Sequence, residues 1–120
     1  MIAQIHPSAV ISPKAKIGKN VSVAAFAVIY DDVEIGDDCI IGPHTVIYDG
    51  ARIGNRVCIH QASAIANAPQ DLKYDGEKTY FYIGDDTTIR EYATLNRGTS
   101  ATGFSKLGVN CLLMAYTHIG

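Results

Sequence analysis

The sequence has no stretch approaching the ~20 consecutive apolar residues that a bilayer-crossing helix needs. Its opening, Met1-Ile2-Ala3-Gln4-Ile5-His6-Pro7, lacks the charged segment and apolar run of a signal peptide. No membrane span and a cytoplasmic location are therefore expected. Charge is sparse as well: 18% of residues are charged, ten basic against twelve acidic, for a formal net charge of −2. The two signs are interspersed, so there is no basic field for nucleic acid. Cys39, Cys58 and Cys111 are the three cysteines, with no C-x-x-C spacing that would suggest zinc or redox chemistry. All three are expected to be reduced thiols. What the chain has instead is 48% hydrophobic residues in 120 positions, enough for one packed domain spanning 1–120.

Those apolar residues recur every sixth position. From Ile5 the series runs through Ile11, Ile17, Val23, Ile29, Ile35, Ile41, Ile47, Ile53, Ile59 and Ile65 without a miss. It breaks at Asp71 and Glu77, resumes at Ile83, Ile89 and Leu95, skips Ala101, and continues with Leu107, Leu113 and Ile119. Seventeen of twenty positions are thus Ile, Leu or Val, where a random arrangement would place about five, and the internal repeat decides the fold. Four residues after each, the side chain is small or β-branched: Ala9, Ala15, Val21, Ala27, Val33, Cys39, Thr45, Ala51, Val57 and Ser63. Two inward columns per hexad suit a narrow triangular prism of short parallel strands, with three hexads to a coil.

Glycines give the coil length. Gly18, Gly36 and Gly54 are spaced by 18, each followed by polar turn residues, and a positive φ at the corner is the expected reason for them. Gly84 and Gly108 come 30 and 24 residues later, one coil plus twelve and one coil plus six. Two loops should therefore leave the prism, one within Ala66 to Tyr82 and one within Arg97 to Ser105, leaving five to six coils. On this map Cys39 and Cys111 share a column three coils apart, about 14 Å at ~4.8 Å per coil, too far for a disulfide.

A regular prism has no cleft, so chemistry is expected where the repeat breaks. Pro69 and Gly76 in the first loop also read simply as punctuation of a solvated turn. His118 precedes the inward Ile119 and so points outward. With the inserts removed, Asn96 falls on the preceding coil within two positions of the His118 column, so the two are expected to face one groove. Arg97 is placed to meet either a phosphate or a carboxylate such as Glu91. His6, His44 and His60 lie at different phases of the hexad and give no metal-binding cluster, which argues against the carbonic anhydrase-like β-helices with their three-histidine site.

Gln70-Asp71-Leu72-Lys73-Tyr74 with Gly76-Glu77, then Ile83-Gly84-Asp85, Ile89-Arg90-Glu91, Asn96-Arg97-Gly98-Thr99, and Asn110 with Leu112-Leu113-Met114 and His118 follow one another in order. Over nearly the whole chain they resemble the UDP-N-acetylglucosamine O-acyltransferases of lipid A synthesis. The resemblance implies an all-β, single-stranded left-handed parallel β-helix, an exception to the usual right-handed crossover. It further implies a homotrimer with sites between prisms and no metal or organic cofactor. The implied reaction moves a fatty acyl group, often 3-hydroxylated, from acyl carrier protein to the 3-hydroxyl of UDP-N-acetylglucosamine.

By the same resemblance the substrate-binding residues are Asp71, His118, Gln70, Lys73, Asn96 and Arg97. Asp71 would accept hydrogen bonds from sugar hydroxyl or amide groups across a subunit boundary, and Lys73 would supply charge near the nucleotide or acyl donor. Asn96 stands where the family often has histidine, and its amide can still bind a hydroxyl or phosphate. The catalytic base of the family is the second histidine of an H-x-x-H pair. Here the first is His118, so the base is expected just after Gly120, with no catalytic residue in the chain. Further coils and a helical domain are likewise expected to be missing, and the chain alone is expected to be inactive. The alternatives are a related hexapeptide-repeat enzyme acylating a sugar amine, and a non-catalytic β-helix scaffold.

Overall fold

A computed structural model describes residues 4–68, 76, 78–98 and 104–120. Each hexad forms one strand, usually of two residues, and the strands fall into three parallel sheets that are the faces of a prism. The first face stacks Gln4–Ile5, Ser22–Val23, Ile40–Ile41, Cys58–Ile59, Thr88–Ile89 and Leu112–Leu113. The second stacks Val10–Ile11, Val28–Ile29, Val46–Ile47, Ala64–Asn67, Thr94–Asn96 and His118–Ile119. The third stacks Lys16–Ile17, Glu34–Ile35, Ala51–Ile53, Tyr80–Ile83 and Phe104–Leu107. This is the expected five to six coils. Successive side chains in a strand point to opposite faces, so the second residue of each pair enters the core and the first looks outward.

Both inward columns are present. Ile29, Ile41, Ile47, Ile59, Ile65, Ile89 and Leu95 are at most 2% exposed, and so are Val21, Ala27, Val33, Cys39, Thr45, Ala51, Val57 and Ser63 from the small column. Each buried aliphatic side chain contributes roughly 1.5–3 kcal/mol of transfer free energy. The end coils are thinner, and Ile5 is half exposed. The three cysteines are free, and Cys39 lies three strands from Cys111 along the first face. Burial, the largest influence on each, pushes the Cys39 and Cys58 thiols up, which keeps them protonated.

The expected reason for the corner glycines is not the observed one. Positive φ falls two residues later, on Asn20, Asp38, Arg56, Asp86 and Asn110 (52 to 60°), and at the next corner on Phe26, His44, Ala62, Tyr92 and Tyr116 (57 to 63°). In that conformation the amide turns toward the adjoining coil: Arg56 donates to the Asp37 carbonyl at 2.8 Å and His44 to the Ala25 carbonyl at 3.0 Å. These bonds offset a left-handed residue's cost of about 1 kcal/mol or more. Gly18, Gly36 and Gly54 are needed for space. A Cβ on Gly36 would stand 2.7 Å from the Gly54 carbonyl group and collide with the Asn55 side chain.

Candidate functional site

Both interruptions of the repeat leave the prism at the same corner, between the second and third faces, on successive coils. The first departs after strand Ala64–Asn67 and returns before Tyr80–Ile83; the second departs after Thr94–Asn96 and returns before Phe104–Leu107. Their expected limits agree with these strands. Gln70, Asp71 and Lys73 lie outside the described residues.

At the roots the ladder slips by one residue. Ala64 pairs with Thr94 and Ile65 with Leu95, but Asn67 pairs with Asn96. The extra residue, Ala66, is fully buried with φ of 65°. This bulge brings the two asparagines level, and the Arg97 amide donates to the Asn67 carbonyl at 2.7 Å. Asn96 is 1% exposed, yet neither atom of its amide has a hydrogen-bond partner; Asn67 Oδ1 and Thr79 Oγ1 are also buried without one. Each such atom costs about 1–3 kcal/mol. These unpartnered polar atoms are concentrated at the roots of the two loops.

His118 stands on the same face as Asn96. It pairs in register with Thr94, points to solvent, and its Nδ1 lies 2.7 Å from Thr94 Oγ1. Thr94 and His118 look outward side by side, whereas Asn96, at the end of the Thr94 strand, is buried. Asn96 and His118 lie on adjoining strands of the second face, the first buried and the second exposed. The arrangement suits binding of hydroxyl, amide or phosphate oxygens, with an imidazole fixed through one nitrogen.

Arg97 does not take Glu91, the carboxylate offered for it by sequence. Glu91 is bonded by Arg90 Nε at 2.9 Å, and backbone hydrogen bonding first, then Arg90, lowers its pKa. Arg97 instead turns back along the corner toward Gly50. With Tyr30, Tyr48, Asp49, Asn67 and Ala68 it lines a groove of about 360 Å³. Tyr30 and Tyr48 form one wall, with ring centroids 5.1 Å apart. A larger apolar hollow of about 470 Å³, lined by Ile5, Val23, Ile40 and Pro43 among others, lies on the first face away from the loop roots.

The return of the first loop is anchored by charge. Asp32 receives Arg52 at 2.7 Å and Lys78 at 3.4 Å, and the Arg52 guanidinium lies 4.8 Å from the centre of the Tyr80 ring. Burial pushes the Asp32 carboxyl up, but hydrogen bonds and charge from Arg52 and Lys78 outweigh it and hold the pKa below the ordinary value. Sequence reasoning missed Gly50, Asn67, Thr79 and this network. Counting coils would have put both loops on one corner, but the contacts between coils depend on the bulge at Ala66. Among the described residues no three His, Cys, Asp or Glu side chains gather to hold a metal, and no helix is long and apolar enough to cross a membrane.

Comparison with known proteins places this geometry. The pattern of the bacterial transferase hexapeptide family, six repeats, matches residues 32–67. The acyl-(acyl-carrier-protein)-UDP-N-acetylglucosamine O-acyltransferase of Chlorobaculum parvum is 54% identical over 119 residues, which are 99% of this chain and 45% of that protein. Its counterpart in Chlamydia caviae is 41% identical over 118 residues, 98% of this chain and 42% of that protein. Among solved structures, LpxA from Acinetobacter baumannii superposes with a TM-score of 0.95 at 38% identity, covering 97% of this chain and 45% of its own. LpxA from Bacteroides fragilis, a UDP-N-acetylglucosamine acyltransferase, gives 0.94 at 45% identity, covering 96% and 45%. The prism winds left-handed, as the resemblance implied. The chain spans a little under half the length of the relatives it matches.

Proposed function

We propose that this chain is the N-terminal portion of a UDP-N-acetylglucosamine O-acyltransferase acting in lipid A synthesis in the cytoplasm, and that it supplies the acceptor-recognition surface. In the reaction of the whole protein, the sugar 3-hydroxyl attacks the thioester carbonyl of an acyl group carried on acyl carrier protein. A hydroxyl is a poor nucleophile until a base takes its proton, and the tetrahedral oxyanion needs donors. The acceptor must therefore be held with its hydroxyl aimed, and that is work for carboxylates and amides. Asp71 accepts from the sugar, Gln70 and Lys73 flank it, and Asn96 and His118 approach from the second face, with Arg97 at the border of the set.

The observation that carries this reading is the group of buried, unpartnered amide and hydroxyl atoms of Asn67, Thr79 and Asn96 at the root of the segment bearing Gln70-Asp71-Leu72-Lys73. Similarity over nearly the whole chain to proteins named for this substrate supports it. We further propose a homotrimer in which the second face, with its outward Val10, Val28, Val46 and Ala64, packs against a neighbour. Val10 is 63% exposed in the single chain, and such a stripe is more stable covered.

Titration of the purified chain with UDP-N-acetylglucosamine, followed by calorimetry, tests the assignment. Saturable binding that Asp71→Ala abolishes is expected. A folded chain that takes up no ligand, or binds equally well with Asp71→Ala, would overturn it.

A further inference from the structure

Gly50 occupies the corner between the second and third faces one coil before the first loop. Its φ is 99°, a conformation open to glycine and strained for other residues. A Cβ there would lie 2.5 Å from the Thr79 carbonyl oxygen and 2.7 Å from Arg97 Cδ. Three segments distant in sequence therefore converge on this hydrogen-bearing carbon: the corner itself, the return of the first loop at Thr79, and the departure of the second loop at Arg97. Backbone bonds reinforce the junction. Phe81 donates to the Gly50 carbonyl at 3.0 Å, Gly50 donates to the Asp32 carbonyl at 2.8 Å, and Arg97 donates to the Asn67 carbonyl at 2.7 Å. The Arg97 side chain thus begins on the coil after the first loop departs and ends on the coil before it, crossing the corner from which that loop leaves.

We propose that Arg97 is a positioning residue that fixes the two ends of the first loop, Asn67 and Thr79, by seating its aliphatic stem on Gly50, and that it acts on ligand binding through those ends rather than by touching the ligand. This rests on the proposed acceptor site, since the loop concerned carries Asp71. The aliphatic stem of an arginine packs well against backbone. Only a glycine leaves room for it here, so Gly50 and Arg97 form one device. Either partner's loss should release the same ends.

Two variants of the chain, Gly50→Ala and Arg97→Met, and their combination separate this role from direct contact. Each single variant is expected to weaken UDP-N-acetylglucosamine binding by about tenfold or more, because small misplacements of a binding segment are costly. The double variant should be no weaker than the poorer single one. Affinity for UDP alone and its dependence on salt should follow the same pattern in all three. Wild-type affinity in Gly50→Ala beside a loss in Arg97→Met, with a reduced salt dependence for UDP, would mean that Arg97 binds phosphate directly and would overturn the proposal.

Amide hydrogen exchange reads the same junction without ligand. The Phe81 and Arg97 amides should lose protection in both single variants while amides of the first coils keep theirs. Unchanged protection at both amides in Arg97→Met refutes the clamp. If wild-type chain binds no UDP-N-acetylglucosamine, the acceptor reading fails, and exchange still decides the clamp.

Discussion

Asn55 takes part in two side-chain bonds between coils. Its Oδ1 accepts from the Asp37 backbone N–H at 2.8 Å, and its own backbone N–H donates to Asp85 Oδ1 at 2.7 Å; Lys19 and Asp37 repeat the pattern one coil earlier. The column therefore caps one corner from coil to coil. Asn55→Ala should lower stability by about 1 kcal/mol, the usual net worth of such a bond, and Asn55→Asp should retain most of it. Urea midpoints at constant slope would show this, and an alanine variant as stable as wild type would mean that water replaces the cap.

A second residue, Asp32, gives the fold an acid-sensitive point. Its folded pKa is lowered despite burial by the Arg52 and Lys78 charges. A depressed carboxyl pKa contributes stability that is present above the unfolded value of about 3.9 and is lost as pH falls through the folded value. Asp32→Asn should therefore be less stable than wild type at pH 7, with the difference closing as pH drops below about 4. Thermal melts at pH 7, 5, 4 and 3 would test it; a gap that stays constant across the series would remove Asp32 as the source. This network was hidden in the sequence because Asp32, Arg52 and Lys78 are brought together by coil stacking and an insertion, neither of which leaves a local pattern. The inward columns were plain because a period of six survives any corner chemistry. The role of the glycines was misread for the converse reason: crowding between coils is invisible in a single coil.

Among the structural elements, the corner between the first and second faces carries a column of exposed rings. Phe26 stacks on His44 and Tyr92 on Tyr116, each at 5.2 Å between centroids, with Ala62 in the rung between the pairs. Ala62 already has φ of 58°, close to its aromatic neighbours. Ala62→Tyr should complete the column without a new backbone demand and raise stability by about 0.5–1 kcal/mol. A higher melting temperature is the expected readout, and a fall would mean that the rung is too narrow for a ring. The two loops are elements of the same kind as this corner in that the coil count located them, and their sizes followed from glycine spacing. Their shared corner follows from the same count, but their joint root was not legible, because a bulge at Ala66 adds a residue that the six-residue register absorbs without a visible break.

For the whole molecule, the three faces differ outwardly. The third shows Lys16, Glu34, Arg52, Tyr82 and Lys106, whereas the second shows Val10, Val28, Val46, Ala64, Thr94 and His118. A charge in the middle of the second stripe should break the proposed trimer while leaving the core intact, since Val28 points outward. Val28→Asp is expected to give monomers by light scattering with an unchanged far-ultraviolet spectrum. Trimers that survive it would move the contact to another face. The relatives that the chain matches are more than twice as long.

That both interruptions occupy one corner has a consequence for how such a surface changes over generations. Strands before and after each insertion keep their partners on all three faces, so lengthening or replacing either segment leaves the pitch of the prism as it was. The corner works as a socket: inserted segments can be exchanged there as units, provided that their first and last residues still meet Gly50 and the Asn67–Asn96 step.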